Sequence, residues 1–295
     1  MKNITNGFEY FSPKSVQEAV KLMSENGEKE FKLICGGQSL NLVMRNGLVM
    51  PELLISLKSI PDQDYIKFDE KDGLRIGALA THRAVEQSAI IAKRFPVLTE
   101  MEHNISSVET RNWGTIGGNI CHGDPGGDVA PVLIALNANI TMAGIKGERT
   151  VSAEAFSVGI YETALEHEEM ATEIHVPTPP PNTGTVYYKF SQLQGDYAIA
   201  ATAVSITLDK NKDKCIDVRV VLSNVGPAAF RAKSAEEILK GKKITDDLLI
   251  KAGQAASEEA QPTDSLDASA EYKKELMVVL VKRVGKEALE RAMKG

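Results

Sequence analysis

Glycine residues crowd one stretch of the chain, from Thr110 to Ala138, and lead directly into an apolar helical pattern. Six of them fall between positions 114 and 127. Backbone without side chains lets N–H groups close on a phosphate, and a helix start behind it adds a favourable dipole. The pattern is equally typical of a tight surface loop that feeds a core helix, because glycine motifs alone are weakly specific.

A second glycine turn lies earlier in the chain. The segment from Lys32 to Leu40 reads as a short apolar strand followed by Gly36, Gly37, Gln38 and Ser39. Neither stretch is a Walker A loop, because no Gly-Lys-Ser/Thr follows, and neither has the glycine spacing of a Rossmann turn. Two such turns, about eighty residues apart, suggest one diphosphate held between two loops.

The remaining polar candidates are few. Asp128 is placed to cap the helix after the glycines, or to accept a hydrogen bond from a ligand hydroxyl or ring N–H. His122, inside the glycine stretch, is the histidine best placed to touch a ligand. The three cysteines, Cys35, Cys121 and Cys215, are too widely spaced for a zinc or iron–sulfur motif. We therefore predict no catalytic side chain and no metal site in this chain.

The glycine turn at Gly36 and Gly37 must be positioned by a folded unit around it. We predict that residues 1–57 form this unit, a small first lobe. Ser15 and Glu18 suggest a capping box before an amphipathic helix. A strand at 32–35, a helical run from position 40 and a strand at 53–57 follow, which together indicate a βαβ-like unit.

The glycine-rich stretch belongs to a second predicted lobe, residues 58–177. Asp72-Gly73 predicts a hairpin between two alternating segments. Thr81 is expected to begin one helix through Lys93, and Pro96 another. Strands are expected at 139–143 and 173–176, and the proline run at 177–181 marks a domain boundary.

Residues 182–295 are predicted to form a separate domain. Apolar strands at 198–208 and 215–222 precede four helical patterns, which begin near positions 234, 245, 268 and 286. Strands followed by helices indicate an α+β fold.

The composition indicates a globular protein and argues against nucleic-acid-binding and membrane-spanning classes. The chain has 295 residues, 43% hydrophobic and 25% charged, as is ordinary for a globular protein. A net charge of -6 argues against a nucleic-acid partner. No apolar run reaches the ~20 residues that a membrane span needs. The N-terminus lacks the apolar core of a signal peptide, so a cytoplasmic location with free thiols is expected.

Taken together, GGQSL at 36–40 and TIGGNICHGDP at 115–125 resemble the FAD-binding medium subunit of the molybdenum hydroxylases. That family includes xanthine dehydrogenase, carbon monoxide dehydrogenase and nicotinate dehydrogenase, and the FAD subunit of the last looks nearest. The resemblance covers essentially the whole chain. It implies an α+β fold with a two-lobed FAD-binding domain of the vanillyl-alcohol-oxidase (PCMH) type and a C-terminal domain of the carbon monoxide dehydrogenase flavoprotein type.

The same resemblance implies which residues contact FAD. Backbone of two segments would hold the diphosphate: Leu33, Ile34, Cys35, Gly36, Gly37, Gln38, Ser39 and Leu40, and Thr115, Ile116, Gly117, Gly118 and Asn119. Ile105, Asp128, Ala171 and Lys189 match other FAD-contacting positions. Tyr197 matches a tyrosine near the flavin, although it also suits the start of a strand. Leu193 and Gln194 stand where many relatives carry arginine, which puts contacts from that segment in doubt.

The implied chemistry belongs to the non-covalent FAD. Electrons would arrive singly from two-iron two-sulfur clusters and leave as hydride to NAD or NADP. Because this chain lacks cluster cysteines, an iron–sulfur subunit and a molybdopterin subunit are expected as partners. The complex would hydroxylate an N-heteroaromatic such as nicotinate. Two alternatives stay open, a stand-alone FAD-dependent oxidase and a non-enzymatic nucleotide-binding module.

Overall fold

The first lobe is a small parallel sheet with two helices. The computed structural model describes residues 7–295, so residues 1–6 of the predicted lobe lie outside the described residues. Its elements are β1 (Glu9–Phe11), α1 (Val16–Glu25), β2 (Phe31–Ile34), α2 (Leu40–Arg45) and β3 (Leu53–Ser56), followed by a 3-10 turn at Leu57–Ser59. The strand order is β1-β3-β2, with both pairs parallel, which confirms the βαβ-like prediction.

The capping box predicted for α1 is only half formed. The Ser15 hydroxyl accepts the Glu18 N–H at 3.1 Å, as predicted. The Glu18 carboxylate accepts instead from the backbone N–H of Lys14, at 2.6 Å. Ala19, Val20 and Met23 point from α1 into the core of this lobe.

The second lobe is built on an antiparallel sheet. Its strands are β4 (Ile66–Asp69), β5 (Gly73–Gly77), β6 (Asn139–Gly144), β7 (Gly147–Ser152), β8 (Ser157–Gly159), β9 (Glu162–Thr163) and β10 (Met170–Val176). The sheet order is β4-β5-β10-β6-β7, and β8 pairs only with β9. The hairpin between β4 and β5 is confirmed, and Gly73 adopts the positive φ of 106° that a glycine tolerates.

Helices cover this sheet and carry the glycine-rich stretch. They are α3 (His82–Gln87), α4 (Ala89–Arg94), α5 (Pro96–Glu102), α6 (Val108–Trp113), α7 (Ile116–His122), α8 (Val129–Ala135) and α9 (Ala153–Phe156). Thr81 caps α3 as predicted, but the single helix predicted through Lys93 is wrong. The chain breaks at Ser88, whose hydroxyl accepts the Ile91 N–H and begins a new helix.

The C-terminal region is α+β, as predicted. Its elements are β11 (Thr183–Phe190), β12 (Ala200–Leu208), β13 (Cys215–Ser223), β14 (Phe230–Arg231), α10 (Lys233–Leu239), α11 (Asp246–Glu259) and α12 (Ala270–Lys294). The last two predicted helices are one helix, because Gly285 packs against Leu249 within α12 instead of ending it. Among residues 7–295, no helix is both long and apolar enough to cross a membrane.

The C-terminal sheet is buried on both faces. Every residue of β12 is buried. One face packs against α10 and α12, and α11 packs on these two helices. The other face packs against the second lobe, chiefly α8. Tyr187, Ala201 and Val221 therefore belong to the same hydrophobic cluster as α8. This packing brings β11 beside the end of the glycine-rich stretch.

Candidate functional site

The first glycine turn presents a row of unpaired backbone donors. From Gly36 to Leu40, five consecutive N–H groups find no acceptor among the described residues. The turn is half-buried, and Gly37 has a φ of 69°. Buried or half-buried N–H groups are normally paired, so an unpaired row is typical of a backbone anion site.

The two glycine stretches touch through their backbones. A Cβ atom on Gly36 would lie 2.0 Å from the Trp113 carbonyl oxygen and 2.7 Å from the Gly114 Cα atom. The Gln38 side chain comes within 3.5 Å of the position that a Cβ of Gly114 would occupy. Glycine at 36 is therefore required by this close approach.

The second stretch is less open than expected. Each backbone N–H from 116 to 119 donates to a protein oxygen at 2.9 to 3.0 Å. The acceptors are the carbonyls of Ala80 and Ala78 and, for the last two, the hydroxyl and carbonyl of Thr115. These four N–H groups are therefore already paired within the protein. The stretch still offers the Thr115 N–H, the exposed face of Gly118 and the Asn119 side chain.

Beyond the turn, three segments converge on an apolar wall. Leu33 and Ile34 lead from β2 into Cys35, whose thiol lies near Thr115 and Cys121. Burial raises the pKa of Cys35 to about 11, against a smaller lowering by the Thr115 side chain. Burial, with Cys35 as a second cause, raises the pKa of Cys121 to about 12, and the Ala171 backbone faces the same thiol. Both cysteines are neutral thiols at neutral pH.

Asp128 does not cap α8, which corrects one of its two predicted roles. It occupies the N-cap position with helical backbone angles, and its side chain makes no capping bond. The carboxylate instead accepts from the Tyr187 hydroxyl at 2.5 Å and from Lys189 Nζ at 3.0 Å. Lys189 also donates to the Asn104 carbonyl at 2.6 Å.

This polar group is almost wholly desolvated. The Lys189 and Asp128 side chains are 2% and 10% exposed. Burial raises the pKa of the Asp128 carboxyl, against the opposing effects of Lys189 and Tyr187. Burial and the Asp128 carboxylate raise the pKa of Tyr187 well above its ordinary value. Tyr187 was missed by sequence reasoning, although its i, i+2 spacing from Lys189 on one strand was a usable signal.

Ile105 lies in a short loop that is held from two sides. The Arg111 guanidinium donates to the carbonyls of Ile105 and Ser106 at 2.7 and 3.1 Å, and it pairs with Glu86 at 3.0 Å. From the C-terminal domain, a Cβ on Gly195 would lie 3.0 Å from the Ser106 carbonyl oxygen. The loop is thus fixed in place beside the Asp128 cluster.

Tyr197 lies at the rim of this region. It is 67% exposed and precedes β12, and its ring approaches the Cβ position of Gly126 to 3.2 Å. Partial desolvation and the Asp124 carboxylate raise the pKa of Tyr197 to about 12. The His122 and Tyr161 rings make a tilted contact nearby, with their centroids 5.1 Å apart. A role for Tyr197 in the core is excluded by its exposure.

A buried histidine–glutamate pair lies behind the two turns. His82 Nδ1 is 2.9 Å from Glu102 Oε2, and the two side chains are 3% and 0% exposed. No sequence signal pointed to this pair, because its members lie on different helices. Within residues 7–295, no group of three or more His, Cys, Asp or Glu could hold a metal ion.

Comparison with known proteins places the chain in a family. The family described as "FAD binding domain in molybdopterin dehydrogenase" matches residues 6–179, and "CO dehydrogenase flavoprotein C-terminal domain" matches residues 185–288. The carbon monoxide dehydrogenase medium chain of Hydrogenophaga pseudoflava is 37% identical over 94% of this chain and 95% of its own length. The solved structure of that enzyme, in a form lacking the Mo-pyranopterin moiety, superposes with a TM-score of 0.93 over 97% of this chain and 99% of the other.

Two further relatives are subunits of enzymes named for nicotine and nicotinate. The nicotine 6-hydroxylase medium subunit of Paenarthrobacter nicotinovorans is 32% identical over 95% of this chain and 96% of its own length. The nicotinate dehydrogenase FAD-subunit of Eubacterium barkeri is 26% identical over 81% of each chain. It is therefore more distant than the carbon monoxide dehydrogenase chain, contrary to the resemblance noted from the motifs. The chain belongs to the family of FAD-binding flavoprotein chains of the molybdopterin dehydrogenases, an oxidoreductase family.

Proposed function

We propose that the turn from Gly36 to Leu40 binds the diphosphate of one non-covalent FAD. The observation that carries this proposal is the row of five consecutive unpaired N–H groups in contact with the second glycine stretch. A diphosphate offers several negatively charged acceptors, which such a row can satisfy without cationic side chains. The Thr115 N–H and the Asn119 side chain supply further donors from the second stretch.

The same proposal places the two ends of FAD on either side of these turns. Leu33, Ile34, Cys35 and Ala171 form the apolar wall on one side. The other side would be formed by Ile105, Asp128, Lys189 and Tyr197. The Lys189–Asp128 pair is buried there, and the aromatic ring of Tyr197 is exposed. When bound, FAD supplies the electron and hydride chemistry. The protein residues bind it, orient it and exclude water.

We infer that the chain acts as an electron-transfer subunit within a larger complex. Electrons would pass from an iron–sulfur subunit to FAD and on to NAD or NADP, and a molybdopterin subunit would hold the substrate. The relatives named medium chain or subunit support this arrangement. An N-heteroaromatic substrate such as nicotinate is favoured by the nicotine and nicotinate relatives. The division into domains at 1–177 and 182–295 and the cytoplasmic location remain predictions.

The test of FAD binding compares two glycine variants of the full chain. Gly36→Ala places a Cβ against the Trp113 carbonyl, so it should force the two turns apart and abolish FAD binding. Gly7→Ala is the control, because its Cβ meets no atom within 4 Å. FAD released by acid precipitation is quantified per chain. Full FAD content in a folded Gly36→Ala protein would refute the proposed turn.

The stand-alone oxidase is separated by a second assay. We expect the isolated chain to oxidise NADH or NADPH with an artificial acceptor, since hydride exchange with a flavin is reversible. It should oxidise no organic substrate alone. Oxidation of nicotinate or a related compound by this chain alone, with oxygen as acceptor, would favour the oxidase.

Tyr197→Ala tests the placement of the flavin ring. Loss of a stacked ring should weaken FAD binding by about 0.5–1.5 kcal/mol and shift the visible flavin spectrum. Because Tyr197 is largely exposed, the denaturant midpoint should barely move. An unaltered spectrum and affinity would remove Tyr197 from the site.

A further inference from the structure

The end of β13 ties the glycine-rich stretch to the C-terminal sheet. The Pro125 carbonyl accepts the Asn224 backbone N–H at 3.0 Å and the Ser223 hydroxyl at 2.8 Å. Within the same turn, the Asp124 carboxylate accepts the Gly126 N–H at 2.9 Å. The turn from Asp124 to Gly126 is therefore held both by its own hydrogen bonds and by the neighbouring strand.

The side chain of Asn224 also reaches the segment that carries Tyr197. Asn224 Nδ2 donates to the Ala198 carbonyl and, at 3.4 Å, to the Ile199 carbonyl. Ala198 directly follows Tyr197 in the chain, and both Ala198 and Ile199 are buried. Asn224 thus bonds two segments that are about seventy residues apart in sequence, one through its backbone and the other through its side chain.

Tyr197 lies between two fixed points of its segment. On the N-terminal side, Gly195 has a φ of 90°, and a Cβ there would lie 3.0 Å from the Ser106 carbonyl oxygen. On the C-terminal side are the two carbonyls that accept from Asn224. The Tyr197 ring lies 3.2 Å from the position of a Cβ on Gly126, and the Asn224 side chain lies 3.7 Å from the same position. The exposed ring is therefore placed by contacts of the surrounding backbone and not by burial.

Asn224 has an unusual backbone conformation. Its φ is 59°, in the left-handed region that asparagine adopts more readily than most residues with a side chain. In this conformation the N–H is directed to Pro125 while the side chain is directed to Ala198. Such conformations persist where the surrounding contacts hold them, and they cluster at functional sites. Asn224 therefore links the turn to the Tyr197 segment with both of its hydrogen-bonding ends fixed.

We propose that Asn224 is a positioning residue for the flavin site: it holds the Tyr197 segment against the turn from Asp124 to Gly126, so that the exposed ring keeps one orientation toward the flavin ring. This inference rests on the proposed placement of FAD beside Tyr197. A side chain that is already oriented loses less conformational freedom when it stacks on a ligand, and this pre-organisation raises affinity. Asn224 itself does not touch the cofactor, so its effect on FAD passes through Tyr197.

A double-mutant cycle between Asn224 and Tyr197 tests the proposal. Asn224→Gly removes the side-chain hydrogen bonds, but it accommodates the positive φ and keeps the N–H that donates to Pro125. We expect FAD affinity about two- to tenfold weaker, no larger than the loss from Tyr197→Ala, and a shifted visible flavin spectrum. In the Tyr197→Ala background, the same substitution should change FAD affinity by less than about twofold.

FAD is titrated into the apo form of the full chain by fluorescence quenching, and each variant's melting midpoint is recorded without cofactor. Asn224→Asp is the second variant at this position, because its carboxylate oxygen would face two carbonyl oxygens and repel the Tyr197 segment. Asn182→Gly is the matched control. Asn182 also has a positive φ, 57°, and its Nδ2 donates to the Asp209 carbonyl at 3.1 Å, but it lies beside the far end of β12. It should bind FAD normally.

The outcomes are distinct. A loss of FAD affinity in the Asn224 variants that disappears in the Tyr197→Ala background supports the proposal. Native affinity and spectrum in either folded Asn224 variant overturn it, and an equal loss in both backgrounds overturns the route through Tyr197. If the native chain binds FAD but Tyr197→Ala has no effect, this inference fails while FAD binding by the chain stands. Failure of the native chain to bind FAD would instead contradict the proposed function and this inference with it.

Discussion

At the scale of single residues, Lys189 links two segments of the chain. Its ammonium group donates hydrogen bonds to the Asp128 carboxylate and to the Asn104 carbonyl. Lys189→Met would leave the Asp128 carboxylate buried without a cation. Removing one member of a buried ion pair typically costs about 3–5 kcal/mol. We expect a loss of that size in the unfolding free energy of the apo chain, measured by urea denaturation.

The double variant Asp128→Asn/Lys189→Met measures how much of each single loss in unfolding free energy comes from the interaction between the two charges. With both charges gone, no uncompensated charge stays buried, so its loss should be smaller than the sum of the single losses by about 1–3 kcal/mol. Strict additivity of the two single losses would contradict the pairing.

The hydrogen bonds of Glu169 stabilise the folded chain to an extent that depends on pH. Both its oxygens accept from Arg149, at 2.7 and 2.6 Å, and it also accepts the Glu166 N–H at 2.8 Å. These bonds, that from Arg149 foremost, hold the pKa of Glu169 below its ordinary value against desolvation. The stabilisation is therefore complete above the ordinary carboxyl range and is lost as the pH falls through the lowered pKa.

Glu169→Gln should lower the unfolding free energy by about 1–2 kcal/mol at neutral pH. The difference from the native chain should close as the pH falls through the lowered pKa of Glu169, because the native carboxylate then takes up a proton. Denaturant midpoints at neutral pH and along an acid series give the comparison. The control is Glu148→Gln, at an exposed position on β7. A difference that persists undiminished in acid would rule out this ion pair as its source.

At the scale of elements, α7 shows that neighbouring glycines have different roles. Gly117 is buried, and a Cβ there would lie 2.4 Å from the Ala78 carbonyl oxygen. Gly118 is exposed, and its Cβ would meet only the Thr115 hydroxyl, at 2.9 Å. Gly117→Ala should therefore cost about 1–3 kcal/mol of stability through overpacking. Gly118→Ala should stay within about 1 kcal/mol, aided by the helix propensity of alanine. Equal midpoints for the two variants would contradict the close packing of α7 on Ala78.

Local chemistry made some elements predictable. The start of α1 follows from Ser15, and the turn of the hairpin follows from Asp72-Gly73, because both depend on residues adjacent in the chain. The break at Ser88 was missed, since a serine within a helical pattern can either continue or cap a helix. The partners of Asp128 and the His82–Glu102 pair could not be predicted from spacing. They meet only through the packing of separate elements.

At the scale of the whole molecule, the second lobe and the C-terminal sheet share one hydrophobic core. Neither side can unfold without exposing the apolar face of the other. We expect calorimetry of the full chain to show these two parts unfolding in one cooperative transition. Two transitions assignable to the separate parts would contradict the shared core.

A substitution in the shared core, between β13 and α8, gives a second test of this cooperativity. Val221→Ala, on β13 facing α8, should lower the common transition without splitting it, through a loss of about 1–3 kcal/mol. Val279→Ala is the control, because Val279 is 58% exposed on α12.

The unpaired N–H groups from Gly36 to Leu40 have a kinetic consequence for the empty chain. Amide protons that are not hydrogen-bonded exchange with deuterium rapidly, whereas hydrogen-bonded amide protons exchange only when the structure opens locally. This turn should label as one uninterrupted block before α7, whose first N–H groups are already engaged. Added FAD should slow the block as a unit, and the number of slowed amides would measure how far along the turn the ligand reaches.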